Sequence, residues 1–261
     1  ALLVSGCVSS NSLNNTAPAV ATIKPASVMV NFTANSINPA TVEGDAGVAG
    51  HPVTIDNPAR VASISKLVVA IAVMRLVEQD KLGLDRDISD YLGWKVRNPA
   101  FPDVPITLRA LLSHQSGLRD AVDYIVPLDG SLEAVLVDPQ AWDAGHAPGT
   151  YFSYANINSP LIAAVMESAT QERFDRLMQR LVFQPLRIDA CFNWTTCSDG
   201  AVSRAVTLYR PTGEIARDDL GGQRPACPVV AARDGSCDLA TYRLARNGAS
   251  FSPQGGMRIS M

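Results

Sequence analysis

Apolar and polar positions alternate along Val28-Met29-Val30-Asn31-Phe32, and this period of two predicts a β-strand over residues 28–34. A second strand is expected over residues 40–53, with a polar turn between the two. The pattern then changes. Leu67 to Met74 are apolar at every position, so a helix over residues 63–79 is expected to be buried on all sides, with Gly83 as its stop. Thr107 is placed to cap a short helix through Leu112, ending at a corner at Gly117. Ser159-Pro160 reads as the cap and first turn of a helix reaching Ala169. Thr170 then caps another, with Phe174, Leu177, Met178 and Leu181 on one face and Pro185 closing it. From about residue 189 to 252 the periodicity fades. Arg210-Pro211-Thr212-Gly213 reads as a hairpin turn, because proline has no N–H to give a central strand. Tyr209 and Asp219-Leu220-Gly221-Gly222 suggest a further hairpin or irregular loops.

This order of elements implies a mixed α/β chain of the α+β kind: a helical part beside an antiparallel sheet. A length of 261 residues with 47% hydrophobic content suits a sizeable core and one or two domains. The formal net charge of −3 and a pI near 5.6 leave no electrostatic footprint for nucleic acid. No run of about 18 apolar residues exists to cross a membrane. Residues 8–26 are rich in Ser, Asn, Thr, Ala and Pro, too polar to order themselves, and read as a flexible tether.

Two short stretches carry chemistry. Ser63-Ile64-Ser65-Lys66 places an amine three residues after a hydroxyl at the start of a helix, so the two share a helix face. Positive partial charge at the helix start favours the anion that develops on an attacked carbonyl. A partly desolvated lysine can serve there as a base, which describes serine acyl transfer with Ser63 as nucleophile. The second stretch, Tyr154-Ala155-Asn156, follows the turn signal Pro148-Gly149 and precedes a helix start, so it lies on a tight loop suited to overhanging a cleft. Tyr154 offers a hydroxyl to relay a proton, and Asn156 an amide with both donor and acceptor. Two other constellations attract less weight. His51, His114 and His146 have no Gly-x-Ser-x-Gly elbow to serve. Asp85, Asp87 and Asp90 match no calcium loop and read as solvated acids, so neither metal nor cofactor is expected.

These residues resemble the family of class C β-lactamases, D-alanyl-D-alanine carboxypeptidases and related penicillin-recognising serine hydrolases. The resemblance also takes in Lys81-Leu82-Gly83-Leu84-Asp85, Leu111-Leu112-Ser113-His114-Gln115-Ser116-Gly117-Leu118, Pro148 through Asn156, and Pro253-Gln254-Gly255-Gly256. It implies a β-lactamase/transpeptidase-like domain over residues 27–261, with Ser63 acylated, Lys66 as its base, Tyr154 as proton relay and Asn156 as holder of a substrate amide. The implied partner is a small-molecule or peptide substrate. The family's third motif, Lys-Thr-Gly or a His/Trp-Gly variant, does not occur after Asn156, so the chain is expected to be a fragment with an incomplete sheet and half an oxyanion hole. No Ser-Asp-Asn string occurs. Arg119-Asp120-Ala121 stands where class C lactamases often carry glutamine, which weighs against lactam hydrolysis, whereas Asn156 weighs toward an amide or peptide substrate. An esterase of the same fold and a non-catalytic envelope binding protein are the rival readings.

Ala1-Leu2-Leu3-Val4-Ser5-Gly6-Cys7 resembles the end of a bacterial lipoprotein signal, which implies lipidation at Cys7, a membrane anchor and a periplasm-facing protein in the cell envelope. In that oxidising compartment Cys191, Cys197, Cys227 and Cys237 are expected to form two disulfides within a cysteine-rich insertion at about 189–252. Pairing of neighbours, Cys191 with Cys197 and Cys227 with Cys237, is the expectation among three possible connectivities.

Overall fold

A computed structural model of the chain describes residues 26–47, 51–210, 212, 214–215 and 222–261. Cys7 with most of the tether, Pro211, Gly213 and residues 219–221 lie outside the described residues. The architecture is mixed helix and sheet, with two small antiparallel sheets.

Strands β1 (Ser27–Met29) and β2 (Thr41–Glu43) pair antiparallel with Val28 opposite Val42. They are shorter than the alternation predicts. Beyond them the pairing continues only as single bridges, Phe32 with Ile37 and Asp45 with Pro52. Phe32 and Ile37 face solvent, so no buried face holds the longer register in place. The second sheet has the order β3 (Ala59–Arg60), β5 (Met257–Ile259), β4 (Cys191–Phe192), all antiparallel. Arg258 of β5 lies opposite Arg60 on one side and Cys191 on the other. Strands of two or three residues are too short to show a period in sequence, which is why none of these three was expected.

Helix α1 spans Ser65–Glu78, after a 3₁₀ turn at Ala62–Ile64. The all-round burial predicted for it does not hold. Val69, Ala72, Val73 and Leu76 are buried, whereas Ile64 (62%), Leu67 (64%), Ile71 (42%) and Met74 (44%) form an exposed stripe at helical spacing. The chain leaves the helix at Gln79, before Gly83. The helix buried on every side is α5 (Asn158–Thr170), whose residues from Asn158 to Glu167 are all buried. It packs on α2 (Ser89–Leu92), α3 (Leu108–Leu112) and α6 (Phe174–Met178). Thr107 caps α3 as expected, accepting from the Ala110 N–H. The short α4 (Leu132–Val135) is capped by Ser131.

Two helix ends differ from expectation. Ile157, not Ser159, flanks α5, and Thr170 is its last residue rather than the cap of the next. The helix after α6 does not stop at Pro185 but passes through a π-helical segment, Gln179–Phe183, into α7 (Gln184–Leu186). Pro185 lacks an N–H and its ring crowds the carbonyl four residues back, so the ladder widens there. Disulfides link Cys191 to Cys197 and Cys227 to Cys237. Helix α8 (Asp199–Arg204) follows the first of them. Tyr209 bridges Ile215, and the Arg210 N–H donates to the Glu214 carbonyl, so the chain reverses where the hairpin turn was expected. The three acids between α1 and α3 are ion-paired rather than merely solvated: Asp85 with Arg109, Asp87 with Arg97, and Asp90 with Arg86. No group of three or more His, Cys, Asp or Glu among the described residues is placed to hold a metal.

Candidate active site

The turn carrying Ser63 is built by backbone strain held against β5. Ala62 adopts φ 47°, a left-handed conformation that costs a residue with a side chain about 1 kcal/mol or more. Three hydrogen bonds hold it there. The Val61 N–H donates to the Met257 carbonyl at 3.0 Å. The fully buried Ser65 donates its hydroxyl to the Ala62 carbonyl at 2.6 Å and accepts the Met257 N–H at 3.1 Å. Ser63 therefore leaves the turn exposed, one helical turn before Lys66.

Lys66 Nζ has three acceptors: Ser63 Oγ at 3.0 Å, Asn156 Oδ1 at 2.9 Å and the Gln254 carbonyl at 2.7 Å. Tyr154 Oη lies 2.9 Å from Ser63 Oγ, and either hydroxyl can donate. The lysine also sits 5.1 Å from the centroid of the Tyr154 ring. The structure thus brings Ser63, Lys66, Tyr154 and Asn156 into one hydrogen-bonded cluster, joined by contacts between residues 91 and 90 apart in the chain.

The Tyr154 loop arrives there through the expected turn. Gly149 has φ 88° and the Thr150 N–H donates to the Ala147 carbonyl, as a type II turn with Pro148 and Gly149 at its centre requires. Three consecutive backbone N–H groups of the loop are then received by side chains from the corner after α3. Ala155 donates to His114 Nδ1 at 3.3 Å, Asn156 to Asp120 Oδ2 at 2.8 Å, and Ile157 to Asp120 Oδ1 at 3.0 Å. His114 Nδ1 also accepts from Asn158 Nδ2 at 3.1 Å, and Asn158 Oδ1 accepts the Ser116 hydroxyl at 2.6 Å. The His114 ring tilts against that of Tyr154 at 4.5 Å between centroids.

This wiring does not pair His114 with the neighbouring Ser116. The Ser116 hydroxyl is buried and committed to Asn158, and His114 Nδ1 accepts the Ala155 N–H. His146 pairs with Asp143 and stacks on Tyr151, outside the cluster. Burial pushes the His114 pKa below its ordinary value, and the Lys66 ammonium adds to the shift. For Tyr154, burial alone would raise the phenol. The hydrogen bonds from Lys66 and Ser63 and the lysine charge outweigh it, so the net shift is downward. Tyr124 nearby is pushed up to about 12, chiefly by burial and then by the Asp120 charge, and stays protonated. A hollow of about 590 Å³ opens beside Ala62, walled by Asn193, Trp194, Val229 and Ser252.

Sequence reasoning singled out the four side chains of the cluster but not their supports. His114 and Asp120 were legible only as residues at or beside a corner, Ser65 carried no role of its own, and the Gln254 carbonyl is a backbone atom that no residue type announces.

A family model described as Beta-lactamase matches residues 38–260. Esterase EstB of Burkholderia gladioli is 30% identical over 162 residues, covering 55% of this chain and 40% of that protein. The D-alanyl-D-alanine-carboxypeptidase/endopeptidase AmpH of Escherichia coli strain K12 is 27% identical over 141 residues, covering 51% of this chain and 36% of its own. The chain thus spans less than half the length of these relatives. Among solved structures, a class C beta lactamase from Rhodobacter sphaeroides superposes with a TM-score of 0.63 at 19% identity, over 91% of this chain and 57% of that one. At that identity the likeness establishes the β-lactamase/transpeptidase-like fold.

Proposed function

This chain belongs to the beta-lactamase family of hydrolases, and we propose that within it the chain supplies the nucleophile of a serine hydrolase, acylated on Ser63. The observation that carries this reading is the arrangement around Lys66 Nζ. Two of its three partners, Asn156 Oδ1 and the Gln254 carbonyl, are oxygens that can only accept, so each holds one N–H. The remaining position points at Ser63 Oγ, a hydroxyl able to accept or donate. In the neutral amine that position is a lone pair facing the serine proton; after transfer it is an N–H. The proton moves without reorganising the other two bonds.

Ser63 Oγ then attacks the acyl carbon of the substrate, and its proton passes to Lys66 directly or through Tyr154. Tyr154, within reach of Ser63, returns the proton to the departing amine or alcohol as the acyl–leaving-group bond breaks. Water, deprotonated by the same pair, releases the acyl group and restores the Ser63 hydroxyl. Asn156 keeps one side-chain N–H beyond those used internally, which suits the carbonyl of an amide acyl donor. The favoured substrates are amides of D-amino-acid peptides or β-lactams in the cell envelope, reached by a protein anchored through lipid on Cys7. The similarity to EstB supports a second reading, ester hydrolysis by the same cluster.

A fluorescent penicillin and a p-nitrophenyl ester, each followed by intact mass and peptide mapping, test the proposal. An adduct on the Ser63 peptide that Ser63→Ala abolishes supports acyl transfer. Ester turnover with no penicillin adduct shifts the assignment to esterase. Bound ligand with no adduct and no turnover from either compound refutes catalysis. Loss of fatty-acid labelling in Cys7→Ser tests the anchor.

A further inference from the structure

Asp120 has no role in the chemistry above, yet its carboxylate takes three hydrogen bonds from two consecutive residues of the Tyr154 loop. Oδ2 accepts the Asn156 backbone N–H at 2.8 Å and the Asn156 Nδ2–H at 2.9 Å, and Oδ1 accepts the Ile157 N–H at 3.0 Å. A carboxylate is acceptor-only, and Lys66 turns an N–H toward Asn156 whether the amine is neutral or charged, because its remaining position faces Ser63. Asn156 lies between that acceptor and that donor, so its side-chain amide has a single permitted orientation, with Nδ2 toward Asp120 and Oδ1 toward Lys66 at 2.9 Å. A neutral water or hydroxyl in place of Asp120 would accept either orientation. Turning the amide over would aim two donors at Lys66 Nζ and break the arrangement that points the amine at Ser63.

Resting on the serine-hydrolase reading, we infer that Asp120 is a positioning residue: its acceptor-only carboxylate fixes the Asn156 amide and so directs Lys66 at Ser63. What matters is the pattern of acceptors, not the bulk of the side chain. That separates this role from simple loop packing. Asn at position 120 has the same shape but turns one of the two acceptor atoms into a donor. In either orientation its nitrogen opposes a backbone N–H of the loop: turned toward Asn156 it meets two donors and frees the Asn156 amide to flip, and turned toward Ile157 it meets that residue's N–H.

The test compares the whole chain with Asp120→Asn and Asp120→Ala. The first readout needs no activity: hydrogen exchange at the Asn156 and Ile157 amides is expected to quicken about tenfold or more in both variants. The second is phosphonylation of Ser63 by a reactive fluorophosphonate, resolved into a limiting rate and a half-saturation concentration. The limiting rate is expected to fall about tenfold to a hundredfold, with half-saturation little changed, because a misdirected base slows the step rather than the encounter. Asp120→Ala, which removes every acceptor, is expected to be at least as impaired as Asp120→Asn. An Asp120→Ala protein that keeps the wild-type limiting rate overturns the assignment. So does unaltered exchange in Asp120→Ala. If the wild-type protein itself takes no adduct at Ser63, the serine-hydrolase reading fails, and the exchange measurement still decides whether the clamp exists.

Discussion

Glu167 is fully buried in α5, and its ionisation should couple the pH of the medium to stability. Its carboxyl accepts the Phe174 N–H at 2.8 Å, the Ala245 N–H at 2.9 Å and the Tyr242 hydroxyl at 2.8 Å. Burial nevertheless raises its pKa from 4.5 to about 7, against the pull of those donors. The neutral acid also fits the site. Tyr242 Oη lies 3.1 Å from the Asn247 carbonyl, so it can donate there while accepting the Glu167 proton. The folded protein holds this proton more tightly than the unfolded chain does. The stabilisation is therefore full below about pH 4.5 and is lost as pH rises through about 7. A rise of about 2.5 units at 1.36 kcal/mol each corresponds to about 3 kcal/mol in all, of which about 2–3 kcal/mol falls between pH 5 and pH 8. Urea denaturation followed by tryptophan fluorescence at those two pH values measures the loss. Glu167→Gln cannot titrate. Its amide nitrogen also meets the Ala245 N–H, a pH-independent cost of about 1 kcal/mol. Wild type minus Gln should thus isolate the carboxyl: wild type is the more stable at pH 5, and the gap narrows or reverses by pH 8. An unchanged gap between the two pH values refutes the argument.

Removing the chemistry should be graded by role. Tyr154→Phe and Lys66→Met are each expected to lower the rate of Ser63 acylation by about 10²–10⁴-fold, while Ser63→Ala removes it, as stopped-flow labelling would show. His114, whose pKa is lowered chiefly by burial, contributes stability that is present above pH ~6.5 and lost as pH falls through its folded value. Its ring resonance in a proton NMR titration should move at lower pH than a free histidine, and His114→Phe should flatten the acid side of the stability curve. Asp175 is fully buried and grips Arg173 through two bonds, at 2.7 and 2.9 Å. Asp175→Ala leaves that largely buried guanidinium without its carboxylate partner, with an expected loss of about 3–5 kcal/mol by denaturant titration. A loss below 1 kcal/mol would show that water reaches Arg173.

The sequence was most informative where geometry is local. Ser63 and Lys66 share a face because residues three apart on a helix always do. Pro148-Gly149 prescribes its own turn, and that turn delivers Tyr154 and Asn156 as a unit. Thr107 caps α3 for the same kind of reason, since its hydroxyl reaches an N–H three residues on. Burial was less legible. Leu67 to Met74 look more enclosed than the stretch around Pro160. Yet α1 and the turn before it show solvent a stripe from Ile64 to Met74, while α5 is covered by its neighbours. Hydropathy records what a residue tolerates, and only packing decides which surface finds a partner.

By itself, then, the amino-acid order determined the family, the two segments that form the candidate site and the identity of the four side chains that meet. Tertiary structure alone decided their wiring. The carbonyl of Gln254 comes to Lys66 from 188 residues away, and Asp120 turns from a departure in a motif into the acceptor for a loop 36 residues on. The physical reason is that backbone carbonyls and N–H groups are the same in every residue but proline, which lacks the N–H. Where they point is set by the path of the chain, and no side-chain pattern encodes it.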